Sequence, residues 1–331
     1  MKYCKEKYTQ MSVFEKQKYI KIIKDKFERK LAKALDLTRV SAPLLVTQES
    51  GLQDDLSGVE RKVTFDIKKD GKELEIVQSL AKWKRYALKK YGFEMHKGLY
   101  TDMIAIRRDD KMDEIHSIYV DQWDWEKIIA RRDRSIEYLK RTVRKIVKAI
   151  CDTSAVLKKQ GFDCVQLSYD VHFITTQQLL DMYPDKTDKE REYLITKQYK
   201  TVFIIGIGDK LSDGKPHDLR APDYDDWSLD GDLLFYHEVL DMALEISSMG
   251  IRVDKKALLD QLKKADKEER LEYDFHQQII KDELPLTIGG GIGQSRLCML
   301  LLGRAHIGEV QASYWDKDTV KKCKKMGIEL L

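Results

Sequence analysis

The sequence is poor in the features that mark secreted, membrane-spanning or thiolate-metal proteins. Its five cysteines, Cys4, Cys151, Cys164, Cys298 and Cys323, are scattered and none forms a C-x-x-C pair. Such spacing argues against a disulfide framework or a cysteine metal site and suits a reducing cytoplasm. The lysine-rich N-terminus has no apolar core of a secretion signal, and no long apolar run follows it. Secretion and membrane spanning are therefore not expected. An excess of one charge is missing too: 60 basic against 56 acidic residues leave a net charge of +4, which neither demands nor excludes nucleic acid. Two phosphate-binding motifs are absent. No G-x-x-x-x-G-K-[ST] occurs, and G-x-G-x-x-G fails because Gln294 takes its last position.

What the chain does contain is material for a globular core. Hydrophobic residues make up 42% and charged residues 35% of 331 positions, enough for one large domain or two small ones. The most distinctive stretch lies near the end. Gly289, Gly290, Gly291 and Gly293 precede Arg296 and an apolar run over 297–302. It reads as a glycine loop opening a buried helix, where free N–H groups and the helix dipole suit phosphate, or else as a plain tight turn.

Earlier in the chain, residues 12–35 read as an amphipathic helix with a Ser12/Glu15 capping box. Its apolar stripe is Phe14, Ile22, Ile23, Phe27, Leu31 and Leu35, and its lysines form a solvated face. A strand-like segment over 35–46 holds Pro43, which confines it to an edge or an interface. Residues 47–58, with Gln53, Asp54, Asp55 and Ser57, read as a surface loop. Ser79 can cap a helix over 79–91 whose inward positions are Leu80, Trp83, Ala87, Leu88 and Tyr91, stopped by Gly92. Lys84 falls on that apolar stripe, so it either meets an anion or snorkels out; Lys82, Arg85, Lys89 and Lys90 fall on the other side.

Arg107 is followed by a strand on which Ile118, Val120, Gln122, Asp124 and Glu126 share one face, either a pocket floor or a strand running out to solvent. Residues 135–160 form a second amphipathic helix closed by Gly161, and 202–207 a buried strand. The acidic run 223–226 reads as a solvated loop. Asp232 and Glu245 lie on successive strands; a hairpin turning near Glu238 would set them opposite each other, a pairing that suits a cation between them. Arg252, seven residues past Glu245, needs a bulge near 248–250 to share their face.

These pieces resemble the three signatures of class II aminoacyl-tRNA synthetases. The first helix and its proline-ended strand are similar to the dimer-forming signature, Arg107 with Gln122-Trp-Asp124 to the second, and Gly-x-Gly-x-x-Arg296-Leu to the third. The blocks Asp-Asp-Leu-Ser-Gly (54–58), Gln-Ser-Leu-Ala-Lys-Trp-Lys (78–84), Tyr-Val-Asp-Gln-Trp-Asp-Trp-Glu (119–126), Arg-Ala-Pro-Asp-Tyr-Asp-Asp-Trp (220–227) and Ser-Ser-Met-Gly-Ile-Arg-Val-Asp (247–254) resemble the ammonia-dependent asparagine synthetase family.

That resemblance implies an α+β fold, one catalytic domain over 1–331 with an antiparallel sheet flanked by helices, and a cytoplasmic homodimer. It implies that aspartate and ATP form a β-aspartyl adenylate, which ammonia converts to asparagine and AMP after pyrophosphate has left. Arg107 and Arg296 would hold ATP, with Asp225 helping, and Mg²⁺ would lie at Asp232 and Glu245. Asp54, Gln122 and Asp124 would take the amino end of aspartate and Lys84 and Arg252 its carboxylates, while Ser79 and Ser248 add neutral hydrogen bonds. Because the chain starts at the first signature, no anticodon-binding domain and no nucleic-acid partner are expected. Nor is a glutaminase expected, since Cys4 follows Met-Lys-Tyr. The alternatives are an aspartyl-tRNA synthetase-like protein acting on tRNA and a non-catalytic aspartate- or AMP-binding paralogue.

Overall fold

The computed structural model describes residues 2–54, 56, 60–162, 165 and 167–331; Asp55, Ser57 and Cys164 lie outside them. The strands are β1 Leu37–Arg39, β2 Leu45–Val46, β3 Thr64–Asp66, β4 Glu73–Ile76, β5 Gly98–Ile106, β6 Tyr119–Ile128, β7 His172–Thr175, β8 Thr201–Ile205, β9 Asp225–His237, β10 Met242–Arg252 and β11 Thr287–Gly293. The helices are α1 Val13–Leu35, α2 Ala81–Lys90, α3 Ile136–Lys159, α4 Thr176–Met182, α5 Asp188–Tyr199, α6 Lys255–Lys264, α7 Asp274–Ile280, α8 Gln294–Leu302 and α9 Lys317–Lys325. Eight strands form one sheet in the order β1-β5-β6-β11-β10-β9-β8-β7, and β2-β4-β3 form a small second sheet. The large sheet is antiparallel through its centre and parallel at both edges, where β1 joins β5 and β7 joins β8. The chain is thus α+β, and the strand expected over 35–46 is split: β1 lies at the edge of the large sheet, β2 in the small one, and Pro43 in the connection between them.

One face of the sheet is dry. Helices α1, α3 and α8 bury Phe27, Leu31, Val143, Ile146, Leu297 and Leu300 against Trp123, Trp125, Phe235 and Ile251. At roughly 1.5–3 kcal/mol per fully buried large side chain, this layer is the main source of stability. The other face carries two smaller apolar clusters. Helix α2 packs Trp83, Ala87 and Leu88 over Leu99 and Met103 at one end, while Leu179 and Ile195 of α4 and α5 pack over Val202 and Leu234 at the other. Between those clusters the sheet face is polar.

The Ser12/Glu15 capping box forms, with both reciprocal bonds present. Several expectations change. Phe14 is 79% exposed and Ile20 takes its place in the stripe of α1; Lys16 is buried rather than solvated, its Nζ donating to the Glu329 carbonyl at 2.6 Å. Leu80, not Ser79, is the N-cap of α2, although Ser79 Oγ accepts from Ala81 N–H at 3.1 Å; Tyr91 is 49% exposed. Lys82 and Arg85 are buried, not outward. Arg85 donates to the carbonyls of Pro285 (2.8 Å) and Val253 (2.7 Å), so its charge is met by backbone dipoles.

The glycine stretch is not a loop but the central strand β11, paired with β6 on one side and β10 on the other. None of its glycines has positive φ, so freedom of the backbone is not what they supply. Space is: a Cβ on Gly289 would meet Glu126 Oε2, and one on Gly291 would lie 2.7 Å from Asp124 Oδ1. The hairpin β9–β10 forms, but Asp232 opposes Ser248, and Glu245 opposes Leu234. The expected pairing of the two carboxylates is therefore displaced. The register shifts at two places, between Glu245 and Ser247 and between Gly250 and Arg252, the second bordering the expected 248–250; the first turns Glu245 onto the face of Ser248 and Arg252. Among the described residues, no helix is long and apolar enough to cross a membrane.

Candidate active site

The polar sheet face between the two small clusters is the floor of a cleft. β6 presents Gln122 and Asp124, β10 presents Glu245, Ser248 and Arg252, and glycines 290 and 291 of β11 keep the floor low between them. The rim comes from three connections: Asp54, Ser79 with Lys84 of α2, and the segment 219–225 leading into β9. The acidic run 223–226 is not the solvated loop that polarity alone suggested, and neither are Gln53 and Asp54 of the stretch before β3. Gln53 and Asp54 are buried, as are Asp223, Asp225 and Asp226.

A second cleft adjoins the first. It is lined by His116, Asp121, Gly293, Arg296 and Gln311, and it shares Arg107, Gln122 and Glu245 with the first. Those three residues mark the junction between the two spaces. Arg107 Nε donates to the Gln78 carbonyl at 3.3 Å, and Arg296 Nη1 donates to the Glu245 carbonyl at 3.1 Å. Asp232 lines neither cleft, because Arg220 stands in front of it.

Charge in the first cleft is dense and mostly compensated. Lys84 is 1% exposed, with Nζ 3.4 Å from Asp124 Oδ1 and donating to the Gly290 carbonyl at 3.2 Å. Of the two readings of Lys84, the anion-paired one holds. Burial lowers its pKa, and the nearby Asp124 works against that. Arg252 is gripped by two carboxylates: its Nη2 donates to Glu126 Oε2 at 2.7 Å, and its Nη1 to Asp225 Oδ1. Burial alone would push Glu126 up, but the Arg252 guanidinium overrides it and holds the carboxyl below its usual range.

The opposite situation holds at Asp232. Burial first, and the charge of Glu245 second, push its pKa up to about 6 although Arg220 pulls the other way. Asp232 pairs with Arg220 at 2.7 Å and Glu245 with Arg296 at 3.7 Å, and the oxygens of the two carboxylates are a donor set that fits a hard divalent cation held partly through phosphate. Among the described residues no cluster of three or more His, Cys, Asp or Glu is placed to hold a metal unaided.

Reasoning from sequence missed Arg220, and it set Glu126 on the candidate pocket floor without giving it a role. Arg220 donates to Ser248 Oγ and, at 2.7 Å, to Asp232 Oδ1, with Asp230 Oδ2 3.4 Å from its Nε. The available signal was a lone cation just ahead of the acids at 223–226, 230 and 232. Asp225, expected beside the nucleotide, lies on Arg252 in the first cleft and is absent from the second.

A model of the aspartate–ammonia ligase family matches residues 14–327. The chain is 57% identical over 324 residues to an aspartate–ammonia ligase of Clostridium perfringens, spanning 97% of this chain and 96% of that one. It is 54% identical to one of Lactobacillus johnsonii, over 99% and 98%. Among solved structures, it resembles an asparaginyl-tRNA synthetase of Entamoeba histolytica in complex with asparaginyl-adenylate. That match has a TM-score of 0.64 at 15% identity and spans 91% of this chain and 68% of that one. It also resembles the aspartyl-tRNA synthetase of the same organism, with a TM-score of 0.58 at 18% identity over 92% and 58%. At such identities the structural matches carry the fold alone.

Proposed function

The chain belongs to the aspartate–ammonia ligase family, and from that premise we propose that it makes asparagine at the junction of the two clefts, aspartate lying in the first and ATP in the second. The enzyme is an ATP-dependent ligase joining ammonia to aspartate. The observation that carries the assignment of the clefts is that Arg107, Gln122 and Glu245 belong to both.

In this reading Asp124, Gln122 and Asp54 receive the α-amino group, Lys84 and Arg252 the carboxylates, and Ser79 and Ser248 complete the hydrogen bonding. A side-chain carboxylate oxygen of aspartate attacks the α-phosphorus of ATP, the bond to the β-phosphate breaks, and pyrophosphate leaves. Negative charge grows on phosphate oxygens in that step, so fixed cations contribute most there. Arg107 and Arg296 supply them, and we add Arg220, whose guanidinium faces the first cleft. Ammonia then attacks the acyl carbon with its lone pair, the carbon–oxygen bond to AMP breaks, and the nitrogen loses a proton. Asp225 is assigned to Arg252 rather than to the nucleotide.

Asp232 and Glu245 are the residues that would hold Mg²⁺, which when bound would draw charge from the departing pyrophosphate. We further read the chain as a cytoplasmic homodimer with no nucleic-acid partner. Ile104, 48% exposed on β5 beyond its pairing with β1, and Leu44, 47% exposed ahead of β2, support the dimer. The test of the metal assignment is aspartate-dependent ATP–pyrophosphate exchange titrated with Mg²⁺. Asp232→Asn and Glu245→Gln are each expected to move the Mg²⁺ midpoint upward, and an unchanged midpoint in both would refute it.

A further inference from the structure

Lys82 sits one turn position away from the cleft lining, beneath it, and touches nothing that the reaction described above requires. It is 2% exposed, on the side of α2 that helical periodicity assigns to solvent. Its Nζ lies 2.8 Å from Asp223 Oδ2 and donates to the Gln53 carbonyl at 3.0 Å. Each of those partners leads directly into the cleft. Gln53 precedes Asp54, and its side chain is itself a clip: Oε1 accepts from the N–H groups of Gln78 (2.9 Å) and Asp54 (3.2 Å), and Nε2 donates to the Ile76 carbonyl at 2.9 Å. Asp223 precedes Tyr224 and Asp225, which line the same cleft from the opposite rim.

A single ammonium group thus ties together two rim segments about 170 residues apart in sequence (223 − 53). The tie is anchored from below. Asp223 Oδ2 also meets Arg270 Nη1 at 2.9 Å and His276 Nε2 at 3.0 Å, on the segment that carries α7. Gly51, with φ +63°, leaves no room between the first rim and Tyr273: a Cβ there would lie 2.7 Å from Tyr273 Cβ. Burying this many charges brings little net stability. A buried ionic node that joins three chain segments does fix their relative position, and a displacement of about 1 Å in a reacting group can cost about 10²-fold in rate.

We propose that Lys82 is a positioning residue for the aspartate half of the site, pinning the Asp54 rim to the Tyr224–Asp225 rim through Gln53 and Asp223. This rests on the assignment of aspartate to the first cleft. Arg296 on α8 and His116 in the loop after β5, on the nucleotide side, hang from segments the pin does not touch, and Arg107 reaches it only through the carbonyl of Gln78, whose N–H Gln53 holds. The pin therefore predicts an asymmetric defect, which a general loss of structure would not produce.

The experiment uses the full chain and measures ATP–pyrophosphate exchange as separate functions of aspartate and ATP. Lys82→Met keeps Arg270 and His276 on Asp223, so the fold is retained; Asp223→Asn provides a second approach to the same contact. Expected for either variant is a 10- to 100-fold fall in kcat/KM for aspartate with the KM for ATP within twofold of wild type. The double variant should be no worse than the poorer single one, because both changes break one pin. Aspartate kinetics within twofold of wild type in folded Lys82→Met, equal losses toward both substrates, or additive losses in the double variant would each overturn the proposal. Asp124→Asn, run in parallel, separates the two levels. If it too leaves the aspartate KM unchanged, the assignment of the first cleft has failed, and if it alone raises that KM, only the pin has.

Discussion

Arg107 and Arg296 approach the same junction from opposite directions, the first from the end of β5 and the second from the first turn of α8. Arg296 is the cleaner probe, since among the described residues its guanidinium bonds only the Glu245 carbonyl and, at 3.7 Å, its carboxylate, and its side chain keeps 21% of its exposure. Arg296→Ala is expected to lower pyrophosphate exchange by about 10²–10³ with little change in melting temperature. Exchange near the wild-type rate in a folded variant would remove α8 from the site. Cations such as these were legible because their spacing matches known signatures. Lys82 and Arg220 were not, for a physical reason. Helical periodicity reports which face of α2 meets its own sheet. It is silent on Lys82, which is covered by segments near residues 53 and 223.

At the scale of the element, β11 is the instructive case. Glycine has poor strand propensity, so four in five positions read as a turn. Pairing on both sides with β6 and β10 overrides that preference, and the missing side chains make room for Glu126, Gln122 and Asp124. Gly291→Ala tests this. The methyl would press on Gln122 Oε1 and Asp124 Oδ1, so the aspartate KM should rise by roughly tenfold, about 1.4 kcal/mol, while the ATP KM holds. Equal disturbance of both substrates would show that the strand, rather than the pocket above it, needs the glycine. The bulge in β10 was legible only as a requirement. Arg252 and Glu245 must share a face, but the position of the extra residue is set by the register with β9, which no local pattern encodes.

Over the whole molecule, the long amphipathic helices α1 and α3 were readable from periodicity, and the α+β class only through the resemblance that the signature blocks carry. The parallel pairs at the two sheet edges were not, since they depend on contacts distant in sequence. The near balance of total charge also hides how many of those charges are buried. One consequence is a pH dependence of folding. His237, at the end of β9, accepts from Leu240 N–H through Nδ1 at 3.2 Å, and burial depresses its pKa from 6.5 to about 4. The unfolded chain therefore takes up a proton that the native state refuses. Stability from this group is full above about pH 6.5 and is lost as pH falls toward 4, by roughly 3 kcal/mol. His237→Asn, which keeps an acceptor for Leu240, should flatten that part of the urea-unfolding profile; parallel profiles for the two proteins would count against it.

The central claim is that the side-chain carboxylate of aspartate is activated on the α-phosphate of ATP and that ammonia then displaces AMP. It is tested most directly by supplying aspartate labelled with ¹⁸O in both side-chain carboxylate oxygens, with ATP, Mg²⁺ and ammonium, and weighing the products. One labelled oxygen bridges carbon and phosphorus in the adenylate and leaves with the phosphate. The account therefore predicts one ¹⁸O in each AMP and one retained in each asparagine. Unlabelled AMP, or ADP and phosphate in place of AMP and pyrophosphate, would contradict it.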